Sequence, residues 1–137
     1  MTITALFTAT EANRILPLVR QIVKDIVDES KAMRDAGNVR RALENHKSSK
    51  ADEAYDATLI EVLKTKVADC SRKINEYLKE LEGLGAEVKN LEKGLVDFPT
   101  EIDGKAAFLC WYLGETTVSH WHLRSENFAN RKPLPRP

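Results

Sequence analysis

Two stretches of helical periodicity occupy the first 85 residues and constrain the fold more than any other feature. Apolar residues recur at spacings of three and four, and in the second stretch their average spacing approaches that of a coiled-coil seam. The apolar positions are Ala12, Ile15, Leu16, Val19, Ile22, Val23, Ile26, Val27 and Met33, and then Tyr55, Leu59, Val62, Leu63, Val67, Cys70, Ile74, Tyr77, Leu78 and Leu81. The pattern predicts two amphipathic helices that form a long antiparallel helical hairpin.

Local signals mark where the first helix begins and where it is disturbed. Thr8 and Glu11 have the spacing of a capping box, in which each side chain accepts a hydrogen bond from the other residue's backbone N–H. Pro17 lies within the periodic stretch, where a proline removes one hydrogen bond and crowds the preceding turn. We therefore predict a kink at Pro17, or a helix that starts anew there.

Glycine and polar residues indicate where the helices end. Gly37 followed by Asn38 predicts the C-terminus of the first helix. The polar residues 38–51 predict the connection between the two helices. The second helix is predicted over residues 52–84, and the sequence GLG at 83–85 ends it.

The remainder of the chain has the character of a small β-sheet. Asp-Gly at 103–104 separates two apolar runs, and this pair is a strong hairpin signal because both turn positions need positive φ. We predict strands at 94–100 and 106–113, and a third at 117–123. Residues 125–137 include three prolines and predict an irregular tail.

These elements predict a single α+β domain over residues 1–137. Residues 1–85 would form the helical hairpin and residues 86–124 a small three-stranded antiparallel β-meander. A meander of this size covers only one end of the hairpin, so much of the apolar stripe needs another partner. We expect a second copy to supply it, which predicts a homodimer with a four-helix core.

Composition and the absence of certain sequence features argue against several classes of function. Lys plus Arg and Asp plus Glu both number 21, and this neutral balance argues against nucleic-acid binding. No apolar run approaches the roughly 20 residues of a membrane-spanning helix, and the N-terminus lacks the features of a signal peptide. The two cysteines form no CxxC pair and are too few for a disulfide scaffold, so we expect a cytoplasmic protein.

The stretch FLCWYLGETTVSHWHL, residues 108–123, is the densest in groups that can do chemistry. Alternate side chains of a strand share a face, so the two histidines of SHWH would lie on the same side. The predicted histidine face holds Val118, His120 and His122, and the opposite face, expected to be core, holds Ser119, Trp121 and Leu123.

Other ligand types can reach the histidine face. Cys110 lies on the neighbouring strand, Glu115 in the turn that follows it, and Asp97 on the first strand. Imidazole, thiolate and carboxylate are ligands of first-row divalent metals such as zinc. The predicted metal-ligand set is His122, His120, Glu115, Asp97 and Cys110.

A structural interpretation of the same residues stays open beside the metal site. A cysteine next to a tryptophan, as in Cys110-Trp111, is typical of a small buried hydrophobic residue. Glu115 is suited to capping a turn, and Asp97 to accepting backbone hydrogen bonds before Pro99. These side chains could then form only a buried salt-bridge network.

Five segments of the chain resemble one family of known proteins. They are LFTATEANRILPLV, VKNLEKGLVDFP, DGKAAFLCWYLGE, WH and NFANRKPLP, in that order. Together they are similar to the family called domain of unknown function 2203, over nearly the whole chain and least between residues 37 and 50. The family is uncharacterised, so the resemblance implies no activity.

The resemblance does imply which residues share a site. The family's blocks map onto Gly94, Asp97, Phe98, Pro99, Cys110, Trp111, Gly114, Glu115, Trp121, His122 and Arg131. Among these the polar residues imply a shared site of Asp97, Glu115, His122 and Arg131, which could bind a metal or an anion or form a buried salt-bridge network. His120 departs from the family pattern, which has an aromatic residue at that position.

Two functional hypotheses lead, and a third, nucleic-acid binding, ranks last because it rests only on the basic C-terminal residues and on Arg40 and Arg41. In the first, the β-meander binds a divalent metal or a small ligand, with His122 as a neutral imidazole ligand or general base and Glu115 as a ligand or orienting group. In the second, the protein is a non-enzymatic module whose helical hairpin binds a protein partner, and the aromatic block is core.

Overall fold

The computed structural model describes residues 6–46 and 50–135. Two helices and one antiparallel sheet make up this part of the chain, which confirms the α+β class. The helices are α1 (Ala9–Asn45) and α2 (Lys50–Leu84), and the strands are β1 (Glu87–Asn90), β2 (Leu95–Ile102), β3 (Lys105–Tyr112), β4 (His120–Leu123) and β5 (Lys132–Pro133). The sheet order is β1-β2-β3-β4-β5, so the predicted number of three strands is wrong and the sheet has five.

Helix α1 begins where the sequence predicts. The Thr8 hydroxyl accepts the Glu11 N–H at 3.1 Å, and the Thr8 N–H donates to the Glu11 carboxylate at 3.3 Å. These two bonds confirm the capping box. Pro17 lies inside a helix that runs unbroken from Ala9 to Asn45, so the helix does not start anew there.

The prediction that Gly37 and Asn38 end α1 is wrong, because the helix continues to Asn45. Glycine within a helix costs about 1 kcal/mol relative to alanine, an amount that tertiary packing can offset. Ala36 is buried beside Gly37, so packing holds this turn in place. The connection between the helices is consequently shorter than predicted, and residues 47–49 of it lie outside the described residues.

The core lies between the helical hairpin and one face of the sheet. Helices α1 and α2 run antiparallel, since few residues separate them, and Glu29 and Lys73 form an ion pair across them at 3.7 Å. Trp111 and Phe98 of the sheet are completely buried against the helices, and Trp121 packs on the same cluster. The prediction that the tryptophan face is core is therefore confirmed, as is the burial of Cys70.

The hairpin of β2 and β3 follows the sequence signal closely. Asp103 and Gly104 have φ values of 51° and 78°, as the tight turn requires. Strand β4, in contrast, begins at His120 rather than at residue 117. Val118 is withdrawn into the core, where its N–H and C=O bond to the side-chain amide of Asn13 on α1 at 2.7 and 3.1 Å. Val118 therefore does not share the histidine face.

The two edge strands were not predicted from the sequence. Strand β1 has the sequence EVKN, in which only Val88 packs toward the core. Strand β5 has two residues and pairs with β4, within the segment predicted to be irregular. A short 3-10 helix, Phe128–Asn130, precedes it. In the described part of the chain, no helix is both long and apolar enough to cross a membrane.

Candidate functional site

The outer face of the sheet, away from the helices, carries the polar residues of β2, β3 and β4. Asp97 pairs with Cys110 across β2 and β3, and Cys110 pairs with His120 across β3 and β4. His122 lies opposite Phe108, two residues further along β4. Directly opposed residues of antiparallel strands project to the same face, so the register brings all of these side chains together.

Three of them form a buried cluster, which we define as Asp97, Cys110 and His122. Their exposed fractions are 4%, 1% and 3%. One potential metal-ligand atom from each residue lies within 4.8 Å of the other two. Buried polar groups need partners, so the relative orientation of these three side chains decides what the cluster can do.

The imidazole of His122 has a defined orientation. Its Nδ1 lies 2.8 Å from the backbone carbonyl oxygen of Leu123, which can only accept a hydrogen bond, so Nδ1 carries a proton. Its Nε2 lies 3.2 Å from Oδ1 of Asp97. In a neutral imidazole, Nε2 would then present a lone pair to a carboxylate oxygen. This contact is favourable only when a proton or a metal ion lies between the two atoms.

Burial governs the protonation of the other two members. It raises the pKa of Asp97 above its usual value, and the nearby His122 opposes this effect. Burial also raises the pKa of the Cys110 thiol to about 12, with the charge of Asp97 adding to the increase. Cys110 is thus a poor nucleophile in the metal-free protein, because only the thiolate attacks.

Glu115, His120 and Arg131 form a second group beside the buried cluster. The Arg131 guanidinium donates to Glu115 Oε1 at 2.8 Å, and His120 Nδ1 lies 3.6 Å from Glu115 Oε2. The same carboxylate accepts the backbone N–H of Tyr112 at 3.1 Å, so Glu115 also caps the turn after β3. The guanidinium of Arg131 lies over the rings of Tyr112 and Phe128, at 5.1 and 4.4 Å from their centroids.

The predicted set of site residues is therefore divided between two places. Asp97, Cys110 and His122 meet in the buried cluster, whereas Glu115 pairs with Arg131 and lies near His120. Arg131 links the two groups, because it also interacts with the Cys110 thiol. Its positive charge partly opposes the rise in the pKa of that thiol. Sequence alternation placed these residues on one face, but only the strand register assigns each one to its partner.

A cavity of about 360 Å³ opens in front of the buried cluster. Besides the cluster, its lining includes Lys89 of β1, Phe108 of β3, and Arg124 and Glu126 from the segment after β4. Sequence reasoning missed these four residues. Lys89 had no signal because β1 was not predicted, and the chain after β4 was expected to be irregular.

The model of a family of uncharacterised conserved proteins, DUF2203, matches residues 5–134. This chain belongs to the DUF2203 family. The resemblance seen in the sequence is thereby confirmed. No curated protein and no solved structure matches this DUF2203 chain.

Proposed function

We propose that this protein binds a divalent transition metal ion, with zinc the best match, through the carboxylate of Asp97, the thiolate of Cys110 and Nε2 of His122. The orientation of His122 carries the proposal. Histidine ligands of metals usually donate their second N–H to a carbonyl or carboxylate, which directs the free nitrogen at the metal. The Nδ1–H to Leu123 bond has this arrangement, and Nε2 faces the other two donors.

The donor set also fits zinc. Nitrogen, sulfur and carboxylate oxygen are its common protein ligands, and ligand atoms of a tetrahedral zinc site lie about 3.3–3.8 Å apart. Nε2 and Oδ1 are already at 3.2 Å, and no pair of ligand atoms in the cluster exceeds 4.8 Å. Small rotamer adjustments would bring all three to bonding distance of one ion. Three protein ligands would leave one coordination position for a ligand in the cavity, as in catalytic zinc sites.

Metal binding would require Cys110 to lose its proton. The metal supplies the driving force, because coordination deprotonates a thiol outright. Arg131 assists from the protein side by favouring the thiolate. Cys110 is a free thiol in the structure, and a reducing, cytoplasmic location would keep it so.

Metal analysis of untagged protein tests this proposal, after incubation with zinc and removal of the excess. We expect stoichiometric zinc by inductively coupled plasma mass spectrometry in the wild type and none in His122→Ala. The matched control is His120→Ala, on the same strand and face but outside the buried cluster, which should keep the metal. If no variant holds zinc, or if His122→Ala retains it, the cluster is a proton-sharing network with a structural role.

We further propose that the helical hairpin associates with a second copy of itself, forming a homodimer. Val39, Tyr55 and Val62 expose 48%, 70% and 58% of their surface, and all three lie toward the end of the hairpin away from the sheet. No described side chain of α2 before Cys70 is fully buried. A second hairpin would cover the stripe formed by these three exposed apolar residues. The two hairpins together would then form a four-helix bundle with a shared core.

Analytical ultracentrifugation over a range of concentrations tests the dimer. We expect a dimer for the wild type and a monomer for Val62→Asp, because a charge at the stripe would be desolvated on association. Lys64→Asp, on the other side of α2, is the control and should still associate. A wild-type monomer at all concentrations would leave the hairpin available for a different protein partner.

A further inference from the structure

The rim of the cavity carries two cations that are not members of the buried cluster, although the charge of Lys89 acts on Asp97. Lys89 extends from β1 and Arg124 from the segment after β4. Both reach the same ring: Lys89 Nζ lies 5.3 Å and Arg124 Cζ 5.0 Å from the ring centroid of Phe108. Lys89 and Arg124 are far apart in sequence, yet both place a positive charge beside Phe108 at the wall of the cavity.

Neither cation is firmly neutralised by the chain. Lys89 pairs with Glu87 at 3.1 Å, but both side chains are about half exposed, and such surface pairs contribute little. The guanidinium of Arg124 makes no ion pair with any residue in the described part of the chain. Its planar fork of donors is therefore free to bind a planar or tetrahedral anion.

Two carboxylates line the described part of this cavity: Asp97 belongs to the buried cluster, and Glu126 on the rim is already engaged. Glu126 accepts the backbone N–H of Leu123 at 2.9 Å and the ammonium of Lys132 at 3.0 Å. These contacts hold the pKa of Glu126 below its usual range. Because Glu126 is satisfied by internal donors, it does not neutralise Arg124, and the charge that the rim offers to a ligand is positive.

We propose that the cavity binds a small molecule bearing an oxyanion, either a carboxylate or a phosphate group, through Arg124 and Lys89. The apolar part of the ligand would pack on Phe108. The volume of about 360 Å³ is near the lower limit of small-molecule sites, which favours a small metabolite over a polymer. This anion site goes beyond the proposed metal function, since it uses none of the three metal ligands.

Nuclear magnetic resonance titration of the full-length, chelator-treated protein tests the anion site. The probes are sodium phosphate and sodium acetate, each added at constant ionic strength against sodium chloride. We expect saturable shifts of the backbone amides of Phe108 and Arg124, and the probe that binds more tightly identifies the anionic group. Linear shifts with both probes, without saturation, would overturn the proposal.

Substitutions assign the binding to the rim. Arg124→Gln should weaken anion binding about tenfold or more, because it removes a charge-assisted, two-pronged donor. Arg72→Gln, at another exposed arginine on α2, is the control and should bind like the wild type. Equal affinities of these two variants would exclude the rim as the binding site. The titration uses metal-free protein, so a failure of anion binding and a failure of zinc binding are observed separately.

Discussion

His122 Nε2 lies 3.2 Å from Asp97 Oδ1, although the two residues belong to strands that are not neighbours in the sheet. Strand β3 lies between them and contributes Cys110 to the same cluster. The contact is therefore a diagonal one across three strands, and it exists only because the register of both strand pairs is correct. A slip of one residue in either pair would turn one partner into the core.

Asp97→Asn should stabilise the metal-free protein and abolish metal binding. The asparagine amide N–H can donate to the Nε2 lone pair of His122, and it removes a buried negative charge that burial disfavours. We expect a gain of about 1 kcal/mol in the free energy of unfolding at neutral pH, measured by urea denaturation with a chelator present. A loss of stability would mean that a protonated His122 depends on the aspartate.

The difference in unfolding free energy between the wild type and Asp97→Asn should depend on pH. The folded-state pKa of Asp97 is raised above 3.8, so the folded state binds more protons than the unfolded state as the pH rises past that value. The contribution of Asp97 to stability therefore falls with increasing pH, and Asn at this position has no such dependence. The stability advantage of Asp97→Asn should grow as the pH rises from 3.8 through the raised folded-state pKa of Asp97. A constant difference would contradict the raised pKa.

Zinc affinity should increase with pH because Cys110 must release a proton to bind. Its thiol has a pKa of about 12 in the metal-free protein, far above the measuring range. Between about pH 7.5 and 9, the release of this one proton should lower the dissociation constant about tenfold per pH unit. Competition with a chromophoric chelator measures it. Cys110→Ala should bind zinc more weakly and without this slope.

Gly94→Ala should destabilise the fold strongly. Gly94 has φ +70°, and an added Cβ would lie 2.9 Å from both Leu113 Cβ and Val23 Cγ1, where the β1–β2 turn meets α1. We expect a loss of about 2–4 kcal/mol, measured by thermal or urea unfolding. Gly104→Ala is the matched control, since its φ is +78° with no neighbour within 4 Å. It should cost only about 1 kcal/mol, the part due to backbone strain.

Asn13→Ala should destabilise the protein by freeing the segment around Val118, which leads into β4. The Asn13 amide satisfies both the N–H and the C=O of the buried Val118, so its removal leaves two backbone groups without partners. The expected loss is about 2–3 kcal/mol in the free energy of unfolding. Gln21→Ala, which removes an exposed bond to Asp25 on the same helix, should change stability by less than about 0.5 kcal/mol. Similar losses for both variants would contradict the role of Asn13.

Local patterns predicted those elements whose signals are contained in a few neighbouring residues. The capping box of Thr8 and Glu11, the Asp103-Gly104 turn and the burial of the tryptophan face all follow from such short-range chemistry. The prediction that Gly37 ends α1 was wrong because the helix propensity of glycine is only about 1 kcal/mol below that of alanine. Tertiary packing overrides a difference of this size. Strands β1 and β5 were not predicted, because they are short, polar edge strands that are stabilised by pairing with their neighbours.

The sequence by itself determined the helical hairpin, the central β-hairpin and the chemical types of the candidate site, because periodicity and turn chemistry are local. Only the tertiary structure decided which side chains of the candidate site are in contact with each other. It joined Asp97, Cys110 and His122 in one buried cluster and paired Glu115 with Arg131 and His120. It also brought Lys89 and Arg124 to one ring. Such meetings depend on strand register and on long-range pairing, which no local spacing encodes.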